Sequence, residues 1–327
     1  MRNAKKFIRT TEAKKQGIES RNKRQFIKFY QRVANDLINL IQKNRNINFE
    51  NVFKNYQPDY IFLFRQIFND TKTAGFGFEI RKQLNFDKSN IIEVKNIQLT
   101  EAQEDSINEN FDIQYTELLN NQTEALANEE FLQKEAQYFQ NIYNNSIKDY
   151  NAFTLSLQKD IQEQTNRLNE FATIVGLTAL QRRESRIART KQEALQRQLE
   201  KVQANSQKEV LRNFKRNVED KIPIRSQGNT QYATGQATSK IKNLEYTSVV
   251  ASTNSQQEPL FNVAGYLVPY PRHASLPISE TAYCRCEVEY RVVGNVITKI
   301  WWEKTQFLGG KPREGHLFLS GTDARKQ

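Results

Sequence analysis

A chain of 327 residues is long enough for two ordinary domains, yet only 38% of it is hydrophobic and its mean hydropathy is −0.76, which is lean for a single globule with a thick core. The 20 Phe and 13 Tyr argue against disorder over most of the length, and no apolar run approaches the ~18–20 residues that span a bilayer. A formal charge of +11 favours polyanionic neighbours, either nucleic acid or an acidic protein surface.

That charge is segregated along the chain. Arg2 to Lys28 carries ten Lys/Arg against two Glu, and Lys5, Lys6 and Arg9 open a basic arm. This stretch has no uninterrupted apolar h-region, so no secretory signal is expected. Phe26, Phe29, Val33, Leu37, Leu40 and Ile41 then follow i, i+3, i+4 steps and predict a first helix. Pro58 is expected near the start of a second, with Ile61, Phe64 and Phe68 on its apolar side.

From Phe78 to Ile222 the only Gly or Pro is Gly176, so long helices are expected, folded back at polar breaks near Asn85–Lys88, Asn120–Thr123 and Gly176. Thr100 to Glu130 holds nine acids and no Lys or Arg. Leu132, Ala136, Phe139, Tyr143, Ile147, Tyr150 and Phe153 trace one helical face, which Leu157, Ile161, Leu168 and Phe171 could continue. A last long helix is expected from about Thr178 to Glu219, rich in Arg, Gln, Glu and Lys. Within it Arg182, Arg183, Arg186 and Arg189 lie within eight residues. Arg182, Arg186 and Arg189 share a face that suits the tracking of phosphates. No base-reading motif accompanies them, so DNA binding would be non-specific and salt-sensitive. Docking on an acidic protein fits the same residues, as do solvated helix faces.

Pro223 to Lys240, with its Ser, Gln, Gly, Asn and Thr, reads as a flexible linker. Beyond it the period changes. Glu245–Ser252, Phe261–Val268, Arg285–Val293 and Asn295–Trp302 are short β-branched or aromatic runs, the last two joined by a Gly294–Asn295 turn. The expected fold class is therefore α+β: an extended, mainly helical body over 1–222, a linker over 223–240, and a small β-rich domain over 241–327. Trp301 and Trp302, as neighbours on a strand, should not both be buried.

The two cysteines and two histidines, Cys284, Cys286, His273 and His316, all lie in the last 55 residues. Four such ligands are the number a tetrahedral zinc site requires, and a small domain with little core would gain stability from one. The Cys-x-Cys spacing equally suits two small buried thiols on one strand face. A disulfide framework is not expected, and a reducing, intracellular setting is. There is no Gly-x-Ser-x-Gly, no phosphate-binding loop and no His-Glu-x-x-His, so a non-enzymatic protein is expected.

Three motifs together resemble the phage Mu F-type minor head (head morphogenesis) family. They are Arg186-Ile187-Ala188-Arg189-Thr190; Gly265-Tyr266-Leu267-Val268-Pro269-Tyr270-Pro271 followed by Glu280-Thr281-Ala282-Tyr283-Cys284-Arg285-Cys286; and Trp301 or Trp302 followed by Arg313-Glu314-Gly315-His316-Leu317-Phe318-Leu319-Ser320-Gly321. The resemblance covers about residues 130–327, with a departure: the Trp…His segment follows Cys286, whereas in the family it normally precedes the Cys-Arg-Cys segment. His273 also stands where the family more often has an acid. The resemblance implies a structural virion protein, made in the host cytoplasm and placed near the portal vertex of a phage head. Its partners would be portal, capsid or scaffold proteins, with packaged DNA as a further one. An internal DNA-associated virion protein and a zinc-dependent nuclease are the alternative readings.

Overall fold

Between Phe78 and Ile222, where Gly176 is the only Gly or Pro, most of the described residues are helical. The computed structural model describes residues 2–43, 47–86, 99–253, 260–263, 265–277, 286–293 and 296–302. They form helices α1 (Arg2–Lys43), α2 (Phe49–Asn55), α3 (Gln57–Thr73), α4 (Glu79–Phe86), α5 (Glu101–Leu126), α6 (Glu129–Ala172), α7 (Ala179–Ala204) and α8 (Ser206–Thr253), then strands β1 (Phe261–Val263), β2 (Tyr266–Val268), β3 (Glu287–Val293) and β4 (Val296–Trp302). The strands pair as two antiparallel two-stranded sheets, β1–β2 and β3–β4. The fold is α+β, a mainly helical chain whose β-structure is confined to its C-terminal region.

The helix ends follow from local chemistry. Pro58 sits in the first turn of α3, where its missing N–H leaves no intrahelical bond unmade. Thr100 and Thr178 cap α5 and α7 through reciprocal bonds with Gln103 and Gln181. Gly176 adopts φ +79° between α6 and α7, a conformation that Cβ-bearing residues disfavour. α4 ends at Phe86, within the expected Asn85–Lys88 break, whose residues 87 and 88 lie outside the described ones; the Asn120–Thr123 break is not found. α5 runs through Asn120–Thr123 and ends at Leu126, and the segment expected as one helix from Thr178 to Glu219 is divided at Asn205.

The chain divides into two compact units. The first comprises residues 1–28, 56–128 and 224–327. Its helical core includes Phe26 against Phe64 at 5.8 Å and Phe111 stacked on Tyr115 at 6.1 Å. A second cluster joins Ile80, Ile107, Tyr246 and Val249 to Phe261, Val288, Ile297 and Trp301, so the sheets and helices α4, α5 and α8 share one apolar core. The second unit comprises residues 29–55 and 129–223. It is built on Tyr30 and Phe53 against Phe139, at 5.8 and 5.3 Å, and on Tyr143 edge-on to Phe214 at 5.7 Å. Tyr30 Oη donates to the buried Glu135 carboxylate at 2.7 Å.

Two sequence expectations are corrected here. Residues 223–240 form no linker, because α8 runs straight through them with Pro223 inside it. Their small polar side chains face inward: Ser226, Thr230, Thr234 and Thr238 are buried. Thr238 Oγ1 donates to the Thr234 carbonyl at 2.8 Å, the i−4 bond that lets a hydroxyl sit inside a helix bundle. Gly235 admits the guanidinium of Arg272, whose Nη1 donates to the Gly235 carbonyl at 3.2 Å; a Cβ on Gly235 would fall 2.5 Å from Arg272 Nε. Glu245–Ser252 is likewise helix, not strand: Ile241, Glu245, Ser248 and Val249 bury a helical stripe.

The other β-runs form strands over their described residues, with one refinement; Arg285 and the expected Gly294–Asn295 turn lie outside the described residues. Phe261–Val268 folds as a hairpin rather than a single strand, pairing Val263 with Tyr266. Gly265 at φ +87° makes the reversal, and its N–H donates to Asn262 Oδ1 at 3.0 Å. β3 and β4 pair from Glu287↔Trp302 to Val293↔Val296, the register a two-residue connection requires. Trp301 is buried edge-on to Phe261; the Trp302 side chain lies outside the described residues.

Candidate functional site

The densest concentration of chemistry is a buried set of charges in the first unit. α8 supplies Lys242 and Glu245, one helical turn apart. α4 supplies Glu79 and Arg81, α1 supplies Lys15 and β3 supplies Glu287. Lys242 Nζ meets Glu79 Oε2 at 3.1 Å, donates to the Val288 carbonyl at 3.1 Å and lies 3.8 Å from Glu287 Oε2. It also stands over the rings of Phe7 and Phe76. Lys15 is ion-paired with the other Glu287 oxygen.

Glu245 completes the set by capping α4. Its carboxylate accepts the backbone N–H groups of Glu79, Ile80 and Arg81 at 3.0–3.2 Å, the amides a helix start leaves without partners. Arg81 lies 3.8 Å away, with Nη2 donating to the Gly77 carbonyl at 2.8 Å and its guanidinium over Phe78 and Phe111. Burial outweighs these partners and raises the Glu245 carboxyl to about 7, while it lowers Arg81. Tyr290, stacked on Tyr246 at 5.3 Å, is fully buried; its pKa is pushed well up and its hydroxyl has no hydrogen-bond partner among the described residues. Gln83 adds a two-way clasp on β3, donating to the Tyr290 carbonyl at 2.6 Å and accepting from Val292 N–H at 3.1 Å.

Three cations and three carboxyl groups thus meet across α1, α4, α8 and β3, with Glu245, raised to about 7, divided between its charged and neutral forms near neutral pH. What this arrangement does chemically is hold four elements in register. Removing one member would strand another in a low-dielectric interior. Sequence reasoning missed it because each residue, read alone, is an ordinary charge on a helix or strand, and members lie up to hundreds of positions apart.

The residues singled out from the sequence lie elsewhere. Arg182, Arg183, Arg186 and Arg189 are on α7 in the second unit, all exposed, with Ala188 the buried member of the Arg186–Thr190 motif. α7 is held to α6 by Gln192 Nε2 donating to Thr165 Oγ1 at 2.8 Å. Lys6 and Arg9 are exposed on α1, and the Lys5 side chain lies outside the described residues.

Of the four candidate zinc ligands, Cys284 and His316 are also outside them. Cys286 is 3% exposed within the apolar cluster of Val288 and Trp301. His273 stands edge-on to Tyr270, with Nδ1 accepting from Ser275 N–H at 3.3 Å and lying 2.8 Å from Ser275 Oγ. Burial and then the Lys240 charge lower its pKa. Cys286 and His273 do not by themselves make a metal site, and among the described residues no three of His, Cys, Asp or Glu gather as one. No helix among them is long and apolar enough to cross a membrane.

Comparisons of the chain with family models, curated proteins and solved structures found no match.

Proposed function

We propose that this chain is a structural protein of a tailed-phage head, acting near the portal vertex by binding rather than catalysis. The observation that carries this reading is the conjunction of the three motifs at 186–190, 265–286 and 301–321, which resemble the Mu F-type minor head family. The structural features agree with a binding role. Lys242 is buried and ties α8 to Glu79 of α4 and Glu287 of β3, whereas the arginines of α7 are presented to solvent.

Portal, capsid or scaffold proteins are the partners this reading names, in a virion made in the host cytoplasm. The four exposed arginines of α7 favour a second reading, an internal virion protein that accompanies packaged duplex. Cys284, Cys286, His273 and His316 stay the candidate zinc ligands, with structural stabilisation of the C-terminal region as the role a metal would take.

Co-expression with the portal protein of the same phage separates the two binding readings. Stable co-elution of the two through size exclusion at physiological salt is the expected result. Failure to co-elute, with tight duplex binding at low salt, would replace the portal reading by the DNA reading.

A further inference from the structure

Two helices of this chain carry matching surface rows of opposite charge. On α5, Glu109, Ile113 and Glu117 stand at i, i+4 and i+8, all exposed, with Ile113 62% exposed. On α7, Arg183, Ile187 and Lys191 repeat that spacing, all exposed, with Ile187 58% exposed. Each row is about 12 Å long and has one large aliphatic side chain between two like charges. Neither order nor direction distinguishes the rows, so they match in parallel or antiparallel.

The surroundings reinforce the match. α5 contains seven acids and no Lys or Arg, while Ala179 to Lys191 of α7 contains five bases and one acid. Among the described residues none of Glu109, Glu117, Arg183 or Lys191 forms an ion pair, although Asp112 beside the α5 row is paired with Lys72 at 2.9 Å. An isoleucine more than half exposed at the centre of a charged row gains nothing from water and contributes when a second apolar surface covers it.

We infer that these rows bind each other between two copies of this chain, the α5 row of one copy docking on the α7 row of the next. The acid–isoleucine–acid pattern is the complement of base–isoleucine–base: the isoleucines meet at the centre and the charges pair at both ends, where they steer and register the contact. A single such contact leaves each copy one free row with which to bind a further copy. A contact this small is weak and salt-sensitive taken singly, and is strengthened where several copies are held together. The inference stands independently of the role in a phage head.

Reversal of each row tests it. Full-length Glu109→Lys/Glu117→Lys and Arg183→Glu/Lys191→Glu variants are followed with wild type by sedimentation velocity at low and high salt. Wild type should self-associate at low salt and dissociate at high salt, and each variant alone should associate about tenfold or more weakly. An equimolar mixture of the two variants should regain association, because each then offers the rows the other needs; misfolded chains would not. Monomeric wild type at low salt, or reversals that leave association unchanged, would overturn the inference. So would a mixture that fails to recover, and loss of duplex binding by the α7 variant with association intact would make DNA the occupant.

Discussion

Lys242 and Arg186 are both cations on long helices, and their surroundings give them opposite work. Lys242 is 2% exposed and held by two carboxylates and a carbonyl; Arg186 stands in water on α7. In the first unit charge sets the geometry of the fold, because a buried ion is tolerated only with its partners in place. On α7 and α5 charge costs the fold little and is available to a partner. Changes in the first place should therefore act on stability, and changes in the second on binding.

The largest expected effect is at the centre of the buried set. Lys242→Ala leaves Glu79 and Glu287 facing each other without their shared cation, and should destabilise the chain by about 3–5 kcal/mol in denaturant unfolding. A loss below about 1 kcal/mol would mean that these charges do not clamp the fold.

Glu245 sharpens the comparison through pH. Its carboxyl is raised from 4.5 to about 7 in the folded chain, so the fold holds that proton more tightly than the unfolded chain does. The stabilisation is complete below about pH 4.5 and is lost as pH rises through about 7, with a total of up to about 3 kcal/mol. Glu245→Gln keeps an acceptor for the α4 amides and should flatten that part of the stability–pH profile. An unaltered profile would assign the dependence to other groups.

Smaller still is the effect of a single methyl group on α8. Gly235→Ala sets a Cβ against the Arg272 guanidinium and should cost about 1–3 kcal/mol. Gly228→Ala, with nothing within 4 Å of the new atom, should be neutral or stabilise by up to about 1 kcal/mol. Equal melting temperatures for the two would remove the close approach of Arg272 from the account.

The smallest effect on stability is expected on α7. Replacing Arg182, Arg186 and Arg189 together by Ala should change stability by less than about 0.5 kcal/mol per site, while weakening partner or duplex binding several-fold at low salt. A large drop in melting temperature would show that this face belongs to the fold.

The same contrast explains what was legible in the sequence. Phe26, Val33, Leu37, Phe64, Phe68, Ala136 and Phe139 were readable as core because large apolar residues at helical spacing have few other fates, and all are buried. The expected face of α6 drifts off the core by Phe153, which is exposed while Leu157 is buried. Residues 223–240 of α8 were unreadable for a physical reason. Their buried side chains are mostly Ser, Thr and Ala, the residues a solvated linker also uses, and Gly235 is met by the Arg272 guanidinium, which lies far away in sequence. The clamp of Lys15, Glu79, Lys242, Glu245 and Glu287 was invisible because ion pairing across the fold leaves no local pattern. The exposed rows of α5 and α7 did leave one, in the charge segregation itself.

The proposed role in a phage head is tested most directly by quantitative mass spectrometry of virions purified from the source of this chain, with the portal protein as the internal standard. A copy number near the portal's or below, retained after the DNA has been released, is the predicted result. Absence from particles would contradict a structural role in the head and point to an assembly factor or an intracellular effector.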